Sequence, residues 1–155
     1  MLICAFAAAN LAAAQGWGAG GSPDPAPQMP ADPVIEKARA AIEKRQWKEA
    51  QDIVRESLAR NPANADYHNL YAYSIRMGAN PAMDLVFRHY NEALRLDPGH
   101  RAAHEYLGEA YLMVGNPAKA KEHLQALDRL CFFACQEYSM LKKAIADYDA
   151  RRATK

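Results

Sequence analysis

The chain has 155 residues, enough for one domain with a shared apolar core. Its apolar content is 50 % and its formal net charge is +1, an ordinary balance for a globular protein. Lys and Arg alternate with Asp and Glu, so no charge pattern points to nucleic acid; Arg151, Arg152 and Lys155 read as a solvated basic tail over 151–155.

The opening run "MLICAFAAANLAAA" is apolar and small. Ala12-Ala13-Ala14 before Gln15 has the pattern that precedes a signal-peptidase cut. The run is too short to span a bilayer, which takes about 20 apolar residues. A charged n-region is missing, the first basic residue being Lys37, so either translation begins upstream or the segment is not an export signal. We read residues 1–14 as a signal peptide and the mature protein as periplasmic; without that signal it would be cytoplasmic. Cys4 stands too near the start for a lipoprotein anchor. Residues 15–33 are dominated by Gly and then Pro, too poor in apolar groups to repay ordering, and read as a disordered leader.

From Asp32 the texture changes. Asp32-Pro33 is an N-cap followed by proline at the first helical position, and Val34, Ala38, Ala41 and Ile42 then recur at helical spacing. A second helix follows with Ala50, Val54 and Leu58 on one face and Asn61-Pro62 as its stop. The chain restarts with Tyr67, Leu70, Tyr71 and Ser74, turns near Gly78, and runs through Tyr90, Ala93 and Leu94 to Asp97-Pro98. A third pass begins at His100. It carries Gly108 inside its first helix, for close approach of a neighbour, and Asn116-Pro117 as the start of its second. Pro62 and Pro98 lie 36 residues apart, and Tyr67 and His104 lie 37 apart. A helix-turn-helix unit of about 34 residues, with about three extra in the middle turn, accounts for both.

These residues resemble the tetratricopeptide repeat (TPR), whose pattern is aromatic-x-x-Leu-Gly-x-x-Tyr, then Ala, an aromatic four residues on, and Pro. The third unit offers His104, Leu107, Gly108, Tyr111, Ala120 and Leu124; the second offers Tyr67, Leu70, Tyr71, Ser74, Tyr90, Ala93 and Pro98. The first is a weaker match through Val34, Ala38, Ala41, Ala50, Val54 and Pro62. Tyr71, standing where glycine or alanine is usual, implies looser packing of its helix pair. Tyr138, Leu141 and Ile145 repeat the first-helix spacing, as in the solvating end helix such arrays need. The resemblance implies an all-α right-handed solenoid of three repeats plus a capping helix over 34–150. The end of the chain also looks like that of small, often exported, bacterial TPR proteins. The apolar stripes Leu70, Tyr71, Leu107, Tyr111, Leu124 and Leu127 then read as core.

No Gly-rich phosphate loop, His-Glu-x-x-His or Gly-x-Ser-x-Gly occurs, so no catalytic residue, metal or cofactor is assigned. Cys131 and Cys135 are candidates for a disulfide; two buried thiols, or metal or redox chemistry, are the alternatives. His100 and His104 lie one turn apart, but a zinc site wants three or four ligands, and His104 stands where the repeat places an inward aromatic. The resemblance implies a peptide groove along the first helices. Its usual positions carry over to Ile35, Arg39 and Ile42, then His68, Ala72, Ile75 and Arg76, then Glu105, Glu109, Leu112 and Met113. Glu105 and Glu109, four apart, repel each other with no core need for either, which favours a ligand with a basic group and an apolar stretch. The expectation is a scaffold that binds a protein or peptide segment, with no nucleic acid and no membrane span; the rival is a small metal or redox protein using Cys131 and Cys135. Assembly state stays open.

Overall fold

The computed structural model describes residues 31–133 and 135–154; the signal-like run and positions 15–30 of the leader lie outside the described residues. The described part is seven helices: α1 (Pro33–Glu43), α2 (Trp47–Arg60), α3 (Ala65–Arg76), α4 (Met83–Leu96), α5 (Arg101–Met113), α6 (Pro117–Leu130) and α7 (Gln136–Ala153). Among the described residues there is no strand, and no helix is long and apolar enough to cross a membrane.

Local chemistry sets the helix starts. The Asp32 carboxylate accepts from Val34 N at 2.8 Å with Pro33 just inside the helix. Asn64 accepts from Tyr67 N at 3.0 Å, His100 Nδ1 from Ala103 N at 3.2 Å, and Asn116 from Lys119 N at 3.2 Å. The α1–α2 and α5–α6 turns are built alike. In each, one residue takes positive φ, Arg45 at 57° and Gly115 at 78°. The next amide then donates back to the first helix, Gln46 N to Ala41 O at 2.9 Å and Asn116 N to Tyr111 O at 2.8 Å.

The core is a chain of three apolar clusters. Each joins one helix pair to the first helix of the next. Ala38, Val54, Tyr67 and Leu70 link α1, α2 and α3. Ala72, Ile75, Val86, Tyr90, Leu107 and Ala110 link α3, α4 and α5, and Leu112, Ala120, Leu127, Leu141 and Ile145 link α5, α6 and α7. No helix pair buries its apolar face alone, which is why such units stack. Leu70, Leu107 and Leu127 are buried in these clusters, while Tyr71, Tyr111 and Leu124 are partly buried against them. Tyr90, Leu107, Leu127 and Leu141 are fully buried, each worth about 1.5–3 kcal/mol in the hydrophobic term.

The second unit sits one residue out of the register expected from the sequence. His68, not Tyr67, matches His104: each ring lies six residues after a proline whose carbonyl it bonds, Pro62 and Pro98, at 2.9 and 3.1 Å. The interval is therefore 36 residues in the first helices (His68 to His104) but 34 in the second (His89 to His123), so the α3–α4 turn holds two extra residues. In this register Ala72, fully buried, takes the small position matched by Gly108. Tyr71 belongs one position earlier, and its ring meets His89 edge-on at 4.8 Å, so no looser packing need follow from it. Tyr67 instead ties α3 back to α1, its hydroxyl donating to Asp32 Oδ2 at 2.7 Å.

The break between α6 and α7 leaves Cys131 and Cys135 outside both helices, joined by a disulfide with Cα atoms 5.7 Å apart. Helix α7 runs on through Ala153, so Arg151 and Arg152 stand in its last turn, where cations favour the helix dipole, rather than in a tail.

Candidate functional site

The first helices α1, α3 and α5, followed by α7, pack one after another and share a face. Two hollows open on it. One, of about 290 Å³, is lined by Arg39, Ile42, Glu43, Asn69, Leu70, Tyr73, Ala102 and Tyr106. The other, of about 320 Å³, is lined by Arg76, Glu109, Leu112, Met113, Ala144, Asp147, Tyr148 and Arg151.

Arg76 stands at the junction of the two. Its guanidinium bonds Glu109 Oε2 at 2.9 Å and lies 5.4 and 5.6 Å from the ring centres of Tyr73 and Tyr106. Burial works against its charge, but Tyr90 and Glu109 more than offset that, so the pKa rises further. Glu109 is thus neutralised by a partner on the neighbouring helix. The mutual repulsion expected of Glu105 and Glu109 is not what governs it, and buried Arg76 does need it.

Glu105 has a different environment. It is 3 % exposed, and Oε1 has no hydrogen-bond partner among the described residues. Burial first, then the charges of Glu109 and Glu137, push its carboxyl up to about 7. On α3 the matching side chain is Asn69, 4 % exposed, whose Oδ1 also lacks a partner among the described residues.

The histidines pair across helices. Nδ1 of His68 and His89 are 2.8 Å apart, and Nδ1 of His104 and His123 are 3.0 Å apart. Proline carbonyls can only accept, so His68 and His104 carry their proton on Nε2, and His89 and His123 donate from Nδ1. His100 caps α5, with Nε2 3.2 Å from Asp66 Oδ1. Among the described residues no three His, Cys, Asp or Glu side chains converge as a metal site requires.

No protein-family model matches the sequence, and no curated protein matches it significantly. Solved structures do match in fold. The type III secretion translocator chaperone SycD of Yersinia enterocolitica superposes with a TM-score of 0.65 at 12 % identity, over 78 % of this chain and 82 % of that one. A second SycD structure, an alternative dimer, gives 0.63 at 14 % over 78 % and 90 %. The TPR domain of Arabidopsis OM64 gives 0.62 at 19 % over 74 % and 93 %. This chain has a TPR-type fold. The expected all-α array of three repeats with an end helix is the one found.

With the TPR register set by His68 and His104, the first-helix positions can be placed. Arg39 and Ile42 line the first hollow, and Arg76, Glu109, Leu112 and Met113 line the second. Ile35 packs instead into the α1–α2–α3 cluster. His68 turns into the α3–α4 contact, and Ala72 and Ile75 are core, because a shift of one residue turns a helical side chain by about 100°. Their places on the face belong to Asn69 and Tyr73, which the sequence reading missed; a 36-residue alignment of Pro62 with Pro98 would have found them. Tyr148, Asp147 and Arg151 join from α7. A hollow of about 1110 Å³ lies elsewhere, between α2, α3 and α4.

Proposed function

We propose that this protein is an interaction scaffold that holds a segment of another protein along the first-helix face. The carrying observation is Asn69, a buried side chain in the lining of the first hollow whose Oδ1 has no partner among the described residues. A buried acceptor left unmatched costs about 1–3 kcal/mol, and amide or side-chain N–H groups of a bound segment would relieve it. Tyr73 and Tyr106 offer aromatic surface beside it. Arg76 pairs with Glu109, and Arg101 stands 3.9 Å from Glu137, so these acids do not by themselves call for a basic group on the segment. Likeness in fold to a TPR domain and to a translocator chaperone supports protein interaction in general.

A photo-crosslinking residue placed at Met113, and a control at Lys48 in the α2–α4 cleft, test this in native extracts. Adducts are expected from Met113 and not from Lys48. Equal adduct formation at both positions would move the binding surface off the first helices. Export is part of the same proposal: it rests on Ala12-Ala13-Ala14 before Gln15, and the Cys131–Cys135 bond suits an oxidising compartment. Mature protein from the native host should begin near Gln15; a chain kept in the cytoplasm with Met1 would end that proposal.

A further inference from the structure

Phe132 and Phe133 stand in solvent, 95 % and 83 % exposed, while the next most exposed large apolar side chain among the described residues is Met113 at 53 %. Their rings meet edge to face with centroids 5.2 Å apart, so each leaves the other largely uncovered. They sit in the loop closed by the Cys131–Cys135 disulfide. Closure limits the ordering cost of presenting them to a partner. Leu130 and Met140, 41 % and 45 % exposed, flank the loop on α6 and α7.

We propose that this closed loop is a membrane wedge: Phe132 and Phe133 enter the acyl region of a lipid bilayer while the polar residues around them stay among the headgroups. Two phenylalanines supply about 300–500 Å², whereas a stable protein interface takes about 800 Å² from each side. Exposed charge on the flanking residues Asp128 and Arg129 cuts the apolar tip short of that. A bilayer needs no matching partner surface; it takes up an apolar tip of any outline. The collar mixes signs, with Asp128 beside Arg129 and Arg101 3.9 Å from Glu137, and so complements zwitterionic headgroups rather than an anionic sheet. No helix among the described residues is long and apolar enough to cross a membrane.

The test is co-sedimentation of the oxidised full chain with phosphatidylcholine vesicles, and with vesicles containing added phosphatidylglycerol. The double substitution Phe132→Ser with Phe133→Ser touches no core residue and should keep the helical circular dichroism. Wild type is expected to partition onto both vesicle types with similar affinity, and the double variant to lose about tenfold or more. Failure of wild type to bind, or equal binding by the double variant, overturns the proposal. So does lipid-free self-association, seen by sedimentation velocity, that the double variant abolishes, since a second copy would then be what covers the tip. Binding that needs phosphatidylglycerol and vanishes with salt would likewise replace the wedge with simple charge attraction.

Discussion

Leu141 of α7 fills the space that a side chain on Gly108 of α5 would need: a Cβ there would lie 2.6 Å from Leu141 Cδ2. The glycine therefore serves the contact with the end helix. Gly108→Leu should overpack it and cost about 1–3 kcal/mol. Urea denaturation of Gly108→Leu, alone and with Leu141→Ala, reads this: the second change should return part of the loss. An unchanged transition in the single variant would show that the two helices do not meet as described.

Arg76 and Glu109 form an ion pair at 2.9 Å, with Arg76 the more buried partner. Glu109→Ala leaves that guanidinium without its carboxylate and should destabilise by about 1–3 kcal/mol. Glu105→Ala should do the reverse, because Oε1 has no partner among the described residues to lose. Chemical denaturation of the two single variants separates these effects. Equal and negligible changes in both would mean that the α3–α5 pair contributes nothing.

Acid should loosen the two histidine pairs. Burial first, and then the facing imidazole, lower His89 and His123 to about 4 from 6.5. The unfolded chain then binds protons before the folded one, so the stability these groups contribute is whole above pH 6.5 and is lost as pH falls through about 4. Glu105 runs the other way: raised to about 7, it contributes stability that is full below pH 4.5 and lost as pH rises through 7. Thermal melts from pH 4 to pH 8 should show a Tm that falls on the acid side. His89→Gln with His123→Gln should flatten that limb, and Glu105→Gln should raise Tm at pH 8. A variant pair that melts in parallel with wild type at every pH would exclude the histidines as the cause.

The Cys131–Cys135 bond closes a short loop between α6 and α7. By chain entropy such a loop contributes only about 2 kcal/mol. Replacing both cysteines by serine should therefore lower stability modestly and leave the Met113 crosslinks in place. Loss of crosslinking with unchanged stability would instead assign the pair a redox or metal role.

Much of the fold was legible in the residues because it depends on local chemistry. Asp32-Pro33 and Asn116-Pro117 announce helix starts through their own caps, and Gly108 announces a close approach. The recurrence of Ala, Tyr and Leu at helical spacing is likewise written along the chain. Pairing between helices is not. Tyr67 and His68 are adjacent and both aromatic, so either could begin the repeat; the 36-residue proline interval favours His68, and the contact with His89 across the turn fixes it. Asn69 and Tyr73 were lost from the face, and His68 and Ala72 wrongly placed on it, through that single residue.

Charge was the other blind spot. In the sequence Glu105 and Glu109 are two like acids on one helix, an arrangement that reads as solvent-facing repulsion. Only packing brings Arg76 of α3 within 2.9 Å of Glu109, and only burial of α5 among α3, α4, α6 and α7 takes Glu105 out of water. Helix starts and the small position at Gly108 are nearest-neighbour properties, so the sequence by itself determined them. Which acid finds a cation on another helix, and which is taken out of water, are properties of surfaces far apart in the chain, and the tertiary structure alone decided them.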